Sequence, residues 1–151
     1  MELPALPDDA VELGATVADW RGAIELAGSV LTRIGAARPG YTAAMVHMVQ
    51  ERGPYIVIAP GLALAHARSD VEVQADGLAV VTLAQPVAFG HPHNDPVRVV
   101  LALAAASPER HLPMLAAIAN AFNARGAVER IAAATTAAEV RAALGAQTPA
   151  G

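Results

Sequence analysis

The sequence of 151 residues contains no cysteine and no lysine. The lack of cysteine excludes disulfides, thiolate nucleophiles and cysteine-ligated zinc, and it is compatible with the cytoplasmic location that we expect. The lack of lysine leaves ten dispersed arginines in a chain of net charge −4. Proteins that bind nucleic acid present a basic face and stacking aromatic residues, whereas aromatics make up 3% of this chain. We therefore expect no nucleic-acid partner.

Signal-like and membrane-spanning segments are also missing from the sequence. Residues 1–10 carry three acidic residues and no basic region, so we expect no secretory signal. The most apolar run, residues 97–106, is too short and too interrupted to span a bilayer. Neither a G-x-S-x-G motif nor a glycine-rich Walker loop occurs, so classical hydrolase and nucleotide-binding functions have no support.

Small apolar residues are abundant, and hydrophobic residues make up 54% of the chain. A chain of this length suits one domain that buries roughly two-thirds of its unfolded surface. The pattern predicts a single α/β domain in which a mixed β-sheet is flanked by helices on both faces. We expect residues 1–10 to be a flexible lead-in, residues 11–145 to be the folded domain and residues 146–151 to be a flexible tail.

Apolar spacing and capping residues predict the order of the elements. Asp19 is a plausible N-cap of the first helix. Ser107 followed by Pro108 is a typical start for the third helix, and Thr135 or Thr136 suits the cap of the last. The segments 78–83 and 97–103 are apolar almost throughout, as in strands buried on both faces. The predicted strands are 11–17, 55–58, 78–83 and 97–103, and the predicted helices are 20–34, 41–52, 108–122, 127–133 and 137–144.

His66 is the first candidate for chemistry, because it is a bulky polar residue among small apolar ones. It lies in the segment GLALAHAR (residues 61–68), which follows a predicted strand and begins at the Pro60-Gly61 turn. Its small neighbours would leave the imidazole approachable, and Arg68 would supply a cation two residues further on. From the residues alone, an inert histidine that is satisfied by its surroundings remains an alternative.

A second group of candidates is the segment His91-Pro92-His93-Asn94-Asp95. Two neutral imidazoles and a carboxylate are ligands that hold zinc, so a metal-dependent enzyme that uses His91, His93 and Asp95 is one hypothesis. The tight spacing and the proline between the histidines hinder convergence on one ion. A polar loop between strands, with turn chemistry at 94–96, is the other interpretation.

Two further histidines lie on predicted helices. His111 lies in the first turn of the third helix, where a helix N-terminus favours anions and disfavours a cationic imidazole. A neutral His111 would donate one hydrogen bond to a phosphate or would face water. We interpret His47, in the second helix, as a surface residue.

Residues 53–68 (GPYIVIAPGLALAHAR) strongly resemble the phosphorylation-site segment of type-2 enzyme IIA domains, the mannitol/fructose-type domains of the bacterial phosphotransferase system (PTS). The Gly-Pro-Tyr run and the His-Ala-Arg ending are most similar to the ascorbate-type branch. Several separated motifs in order are more specific than any one of them. The other matching segments are 23–24, 41–45, 83–90 (LAQPVAFG), 94–97 (NDPV), 101–105 (LALAA) and 111–112 (HL).

The resemblance implies a mixed sheet flanked by helices and a phosphotransferase role in sugar uptake, with no cofactor and no metal. His66 would accept a phosphoryl group from the phosphohistidine of HPr and pass it to a cysteine of a separate IIB protein, which serves a membrane IIC component. His111 would steady the phosphoryl group, and Arg68 would be a charge partner. This chain departs from many relatives at Ala65, where they have proline, and from the mannitol-type branch at Met48, where that branch has arginine.

The role, the sugar and the oligomeric state each have more than one answer within this family. A regulatory IIA-like protein, whose phosphorylation state controls a partner, is an alternative to a transport component. The sugar cannot be derived from this chain, because specificity resides largely in the membrane partner. The alanine-rich helical faces would suit a homodimer as well as a core.

Overall fold

The computed structural model describes residues 3–67 and 71–146. A short 3-10 turn at Asp8–Ala10 precedes the first strand. The strands are β1 (Val11–Ala15), β2 (Val57–Ala59), β3 (Leu62–Ala65), β4 (Gly77–Val87) and β5 (Val97–Ala104). The helices are α1 (Trp20–Arg33), α2 (Pro39–Arg52), α3 (Pro108–Ala121), α4 (Ala127–Ala132) and α5 (Ala137–Leu144).

Within the described residues, the strands form one mixed sheet in the order β1-β4-β5-β3-β2. β1 runs parallel to β4, and β3 runs parallel to β5. β4 and β5 are antiparallel, as are β2 and β3. The two parallel neighbours β3 and β5 therefore end at the same edge of the sheet, which is where the histidine that follows β3 lies.

Helices cover the sheet on both faces, as predicted. Helix α1 packs against β4, β5 and α2, while α4 also contacts β4 and β5 and lies beside α5. Residues 77–83 of β4 are all buried, as are all four residues of β3. Strands that are apolar throughout need cover on both sides, so the pattern of these strands and the helical layers agree.

Capping residues define the helix ends largely as the sequence predicts. The Asp19 side chain accepts a hydrogen bond of 2.8 Å from the Gly22 N–H at the start of α1. Thr136 caps α5 by accepting from the Glu139 N–H at 3.2 Å. Ser107 occupies the N-cap position of α3, but its side chain makes no capping hydrogen bond. The first turn of α3 is instead fixed by a contact from outside the helix.

The strand β3 is absent from the sequence prediction. The prediction places one strand at 55–58, whereas the structure has β2 at Val57–Ala59, a turn at Pro60 and Gly61, and the antiparallel partner β3 at Leu62–Ala65. Gly61 adopts a φ of +78°, which glycine tolerates and other residues rarely adopt. The segment predicted as a simple turn before His66 is therefore a hairpin.

One hydrophobic core unites the described chain. Leu6 and Ala10 are fully buried in it, and Arg141 of α5 donates to the Leu6 carbonyl at 3.1 Å. Part of the segment 1–10 thus packs against the domain, and the predicted boundaries at residues 11 and 145 stay predictions. Residues 147–151 of the predicted tail lie outside the described residues. Within the described part, no helix is long and apolar enough to cross a membrane.

Candidate functional site

His66 is the first residue after β3, at the edge where β3 and β5 both end. Its strand neighbour Ala65 is buried and pairs with Ala102 of β5. The ring of His66 is half-buried, and its Nδ1 lies 2.9 Å from the carbonyl oxygen of Leu64. Because a carbonyl oxygen only accepts, Nδ1 is the donor, and the neutral ring carries its lone pair on Nε2. The backbone thus selects which nitrogen is available as a nucleophile.

His111 lies beside His66, although it comes from a different element. It occupies the first turn of α3, the helix that follows β5. The centroids of the two imidazole rings are 5.6 Å apart, and the rings are tilted by 47°. The positive end of the helix dipole favours an anion at this position. The edge of the sheet therefore combines a nucleophilic ring with a second imidazole and a helix N-terminus.

Tyr55 covers another side of His66. The two ring centroids are 5.9 Å apart, with the planes nearly perpendicular at 80°. Burial raises the pKa of Tyr55, and the nearby Arg52 opposes that effect. The side chain remains 40% exposed. It therefore packs against one side of the His66 ring without enclosing that ring. No role for Tyr55 follows from the sequence alone, although this residue belongs to the Gly-Pro-Tyr run that carries the resemblance.

Asp76 fixes the first turn of α3 from the neighbouring connection. Its Oδ1 accepts a hydrogen bond of 2.8 Å from the Ala106 N–H, and its other oxygen contacts the guanidinium of Arg110. Arg110 directly precedes His111 in the chain. Asp76 therefore fixes the residue before the N-cap and the side chain of Arg110, and through both it holds the turn that carries His111.

The predicted metal loop is held together by its own backbone. The Asp95 carboxylate accepts from the N–H groups of Phe89, Gly90 and His91 at 2.7–3.1 Å. His91 Nδ1 accepts from two further backbone N–H groups at 3.0 and 3.1 Å, one of them that of His93. The Asp95 carboxylate and His91 Nδ1 are thus engaged in bonds within the loop. In the part of the chain that the structure describes, no three His, Cys, Asp or Glu side chains are placed to hold a metal ion.

The same loop supports the hairpin that carries His66. The Gly61 N–H donates to the Asn94 carbonyl at 2.9 Å, and the Asn94 side chain donates to the Val57 carbonyl at 3.3 Å. These bonds join the loop to both sides of the β2–β3 turn. The polar-loop interpretation of the sequence agrees with this geometry, and the loop acts by bracing the hairpin.

The family follows from comparison with known proteins. A family profile described as "Phosphoenolpyruvate-dependent sugar phosphotransferase system, EIIA 2" matches residues 5–146. The chain belongs to this family. The resemblance found in the residues is thereby confirmed, and the mixed sheet with its helices matches the fold of this EIIA domain's structural relatives.

Relatives of this EIIA domain are similar over most of their length. The ascorbate-specific PTS system EIIA component of Salmonella choleraesuis (strain SC-B67) is 34% identical over 134 residues, covering 88% of this chain and 87% of the relative. The crystal structure of PtxA, a protein of Streptococcus mutans assigned to PTS IIA, is 34% identical with a TM-score of 0.85, covering 96% and 94% of the two chains. The complex of enzyme IIAMTL and phosphorylated enzyme IIBMTL from Escherichia coli contains a chain that is 26% identical with a TM-score of 0.83, covering 93% and 96%.

Four other residues are singled out in the sequence of this EIIA domain: Arg68, His47, Met48 and Ala65. Arg68 lies outside the described residues. His47 is exposed and pairs with Glu51 on the next turn of α2 at 3.0 Å, as expected of a surface residue. Met48, at a position where one branch has arginine, packs partly buried against the core. Ala65 is buried at the end of β3.

Proposed function

We propose that this EIIA domain carries a phosphoryl group on Nε2 of His66, taken from the phosphohistidine of HPr and passed to a cysteine of a separate IIB protein during sugar uptake. The observation that carries the proposal is the bond from Nδ1 to the Leu64 carbonyl, which leaves Nε2 unprotonated. A neutral imidazole nitrogen is a competent nucleophile for phosphorus.

Each transfer breaks one bond to phosphorus and forms another. The Nε2 lone pair of His66 attacks the phosphorus of the donor, and the donor's phosphorus–nitrogen bond breaks with its electron pair remaining on the donor nitrogen. His66 keeps its proton on Nδ1, so its ring gains positive charge as the bond forms. The Leu64 carbonyl, which accepts that proton's hydrogen bond at 2.9 Å, stabilises this charge. In the second transfer, a thiolate of IIB attacks the phosphorus and the electron pair returns to Nε2.

Catalysis of such transfers consists mostly of positioning and of donors around the phosphoryl oxygens. His111, 5.6 Å from His66 between ring centroids, is the side chain that we assign to donate an N–H to one of these oxygens. The N-terminus of α3 supports it with the positive end of the helix dipole. We keep Arg68 as the proposed charge partner, on the basis of the resemblance alone.

The partners and the sugar are also proposals. The complex with phosphorylated IIBMTL concerns the Escherichia coli protein, and it supports a IIB protein as the acceptor here. The Salmonella relative is an ascorbate-specific component, which supports an ascorbate-like substrate for the system that this chain would serve. Transfer from phospho-HPr implies a cytoplasmic location.

The test is intact-mass analysis after incubation with enzyme I, HPr and phosphoenolpyruvate. We expect one acid-labile phosphoryl adduct in the wild type and none in His66→Ala. His47→Ala is a matched control, because it also removes an imidazole, one that is exposed on α2 and pairs with Glu51, and it should retain the adduct. An adduct that persists in His66→Ala, or a wild type that takes none from a cognate HPr, would overturn the proposal.

A further inference from the structure

The hydroxyl of Tyr41 bridges the ends of two strands beside His66. Tyr41 lies in the first turn of α2 and is 1% exposed. Its oxygen is 2.6 Å from the Leu103 carbonyl near the end of β5 and 3.1 Å from the N–H of Ala67. Ala67 is the residue that follows His66. One side chain of a separate helix thus reaches the backbone directly after the proposed phosphoryl acceptor.

The hydrogen bonds of this hydroxyl can be assigned from its single proton. The oxygen also lies 3.2 Å from the Ala67 carbonyl, but the Leu103 carbonyl is closer, so the proton goes to Leu103 and a lone pair accepts from the Ala67 N–H. Burial raises the pKa of Tyr41 to about 12, and the hydroxyl therefore stays protonated and remains a donor at neutral pH.

The bridge replaces strand pairing where that pairing stops. The last paired residues of β3 and β5 are Ala65 and Ala102. Beyond them, the Ala67 N–H and the Leu103 carbonyl are buried backbone groups that need hydrogen-bond partners, because leaving such a group unsatisfied is destabilising. The Tyr41 hydroxyl serves both groups at once, so it fixes the path of the chain immediately after His66.

We infer that Tyr41 is a positioning residue that holds Ala67 in place and thereby sets the direction in which His66 presents Nε2; this inference rests on the proposed phosphoryl transfer. His66 is then fixed from both sides. The Leu64 carbonyl holds its ring through Nδ1, and the Tyr41 hydroxyl holds the backbone that follows it. The bridge from Tyr41 acts through Ala67 and not through contact with the reacting atoms.

The test is Tyr41→Phe, which removes one oxygen and keeps the aromatic ring in the core. We expect the kcat of phosphoryl transfer from phospho-HPr to fall by roughly ten- to a hundredfold, because small misplacements of reacting groups have effects of this size. The KM for phospho-HPr should change less than twofold, since the surface that meets the donor is not altered. The nitrogen chemical shifts of the His66 ring, measured by NMR, should also move.

Thr82→Val is the matched control. Thr82 is a buried hydroxyl that accepts from the Gly14 N–H at 2.8 Å between β4 and β1, on the other side of β5 from His66. Its loss should lower stability without changing kcat or the His66 ring shifts. A wild-type kcat with unmoved His66 shifts in Tyr41→Phe, or equal changes in Thr82→Val, would overturn the inference.

Two further measurements keep the inference separate from the proposed function and from folding. If the wild type accepts no phosphoryl group, the proposed function fails, while the ring shifts of His66 in Tyr41→Phe still report whether Tyr41 positions that residue. If Tyr41→Phe does not fold, hydrogen exchange in the wild type decides the point. The Ala67 N–H should be protected because it donates to a buried oxygen, and rapid exchange at Ala67 would overturn the inference.

Discussion

The imidazoles of His66 and His111 lie 5.6 Å apart between ring centroids, although one follows a short strand and the other begins a helix. Their proximity results from the sheet, because β3 and β5 are parallel neighbours that end at the same edge. One strand leads directly into His66, and the other leads through a short connection into α3. Ligand sites in α/β proteins are commonly formed at the carboxyl ends of strands in this way.

Replacement of His111 tests the division of roles between the two histidines. In His111→Ala, acceptance of the phosphoryl group should persist, because the nucleophile is intact. The rate should fall by roughly a hundredfold, as when one donor to a developing negative charge is removed. Rapid-quench measurement of transfer from phospho-HPr gives the rate. His47→Ala, which removes an exposed imidazole, should transfer at the wild-type rate, and an equal loss in both variants would contradict the assignment.

Replacement of Asp76 tests how the first turn of α3 is held. Its pairing with Arg110 is partly exposed and contributes little to stability, whereas its bond to the Ala106 N–H satisfies a backbone donor. We expect Asp76→Ala to lower the free energy of unfolding by about 1–2 kcal/mol and to slow phosphoryl transfer, because His111 loses its support. Asp76→Asn keeps an acceptor oxygen and should lose less of both.

Urea unfolding and transfer rates measured on the same preparations check this prediction. Arg110→Ala serves as the control, since it removes the ion pair and leaves the bond between Asp76 and Ala106. If Arg110→Ala were as damaging as Asp76→Ala, the ion pair and not the backbone bond would be the effective contact.

Replacement of Asp95 tests whether its loop is structural. Its carboxylate accepts from three backbone N–H groups, and charge-assisted bonds of this kind are among the stronger ones. We expect Asp95→Ala to lower the free energy of unfolding by roughly 3 kcal/mol, as measured by urea denaturation. His93→Ala, an exposed neighbour in the same loop, should stay within about 0.5 kcal/mol of the wild type. Equal stability of the two variants would remove the bracing role assigned to Asp95.

Features that depend on neighbours in the sequence could be predicted, and features that depend on packing could not. Local signals were sufficient for α1 and α5, where Asp19 and Thr136 cap the helices through bonds to residues three positions away. β3 was missed because its four residues, two leucines and two alanines, are good helix formers and too few to show a period. His66 was chosen as the candidate through its small neighbours and through the family resemblance, and its role stays a prediction.

The contacts that complete the site could not be predicted. Tyr41 reaches Ala67 and Leu103 over sequence separations of 26 and 62 residues, and Asp76 reaches Ala106 over 30. Each of these bonds exists only because the packed sheet brings the ends of β3, β5 and the connection to α3 to one edge. The contacts of Asp76 at the start of α3 have the same origin, since the Ser107-Pro108 motif predicts where the helix begins and not which distant group holds that turn.

The stability of the protein at alkaline pH reports on Tyr41. Burial raises the pKa of Tyr41 from 10.0 to about 12, so its neutral form is favoured in the folded state. Below pH 10 the phenol is neutral in both states and its contribution to stability is fully present. Between about pH 10 and pH 12 the unfolded chain releases the proton and the folded chain does not, so the free energy of unfolding falls as pH rises.

The absence of lysine and cysteine makes this titration unusually simple to isolate, because the two tyrosines are the side chains whose ordinary pKa lies near 10. From the linkage relation, the contribution of Tyr41 should fall by about 1.3 kcal/mol between pH 9 and pH 11. Tyr41→Phe should lack this decrease, while the smaller effect of the exposed Tyr55 remains in both proteins. Urea unfolding of both proteins across this range measures the difference, and parallel curves would mean that the Tyr41 hydroxyl is not held neutral between Leu103 and Ala67.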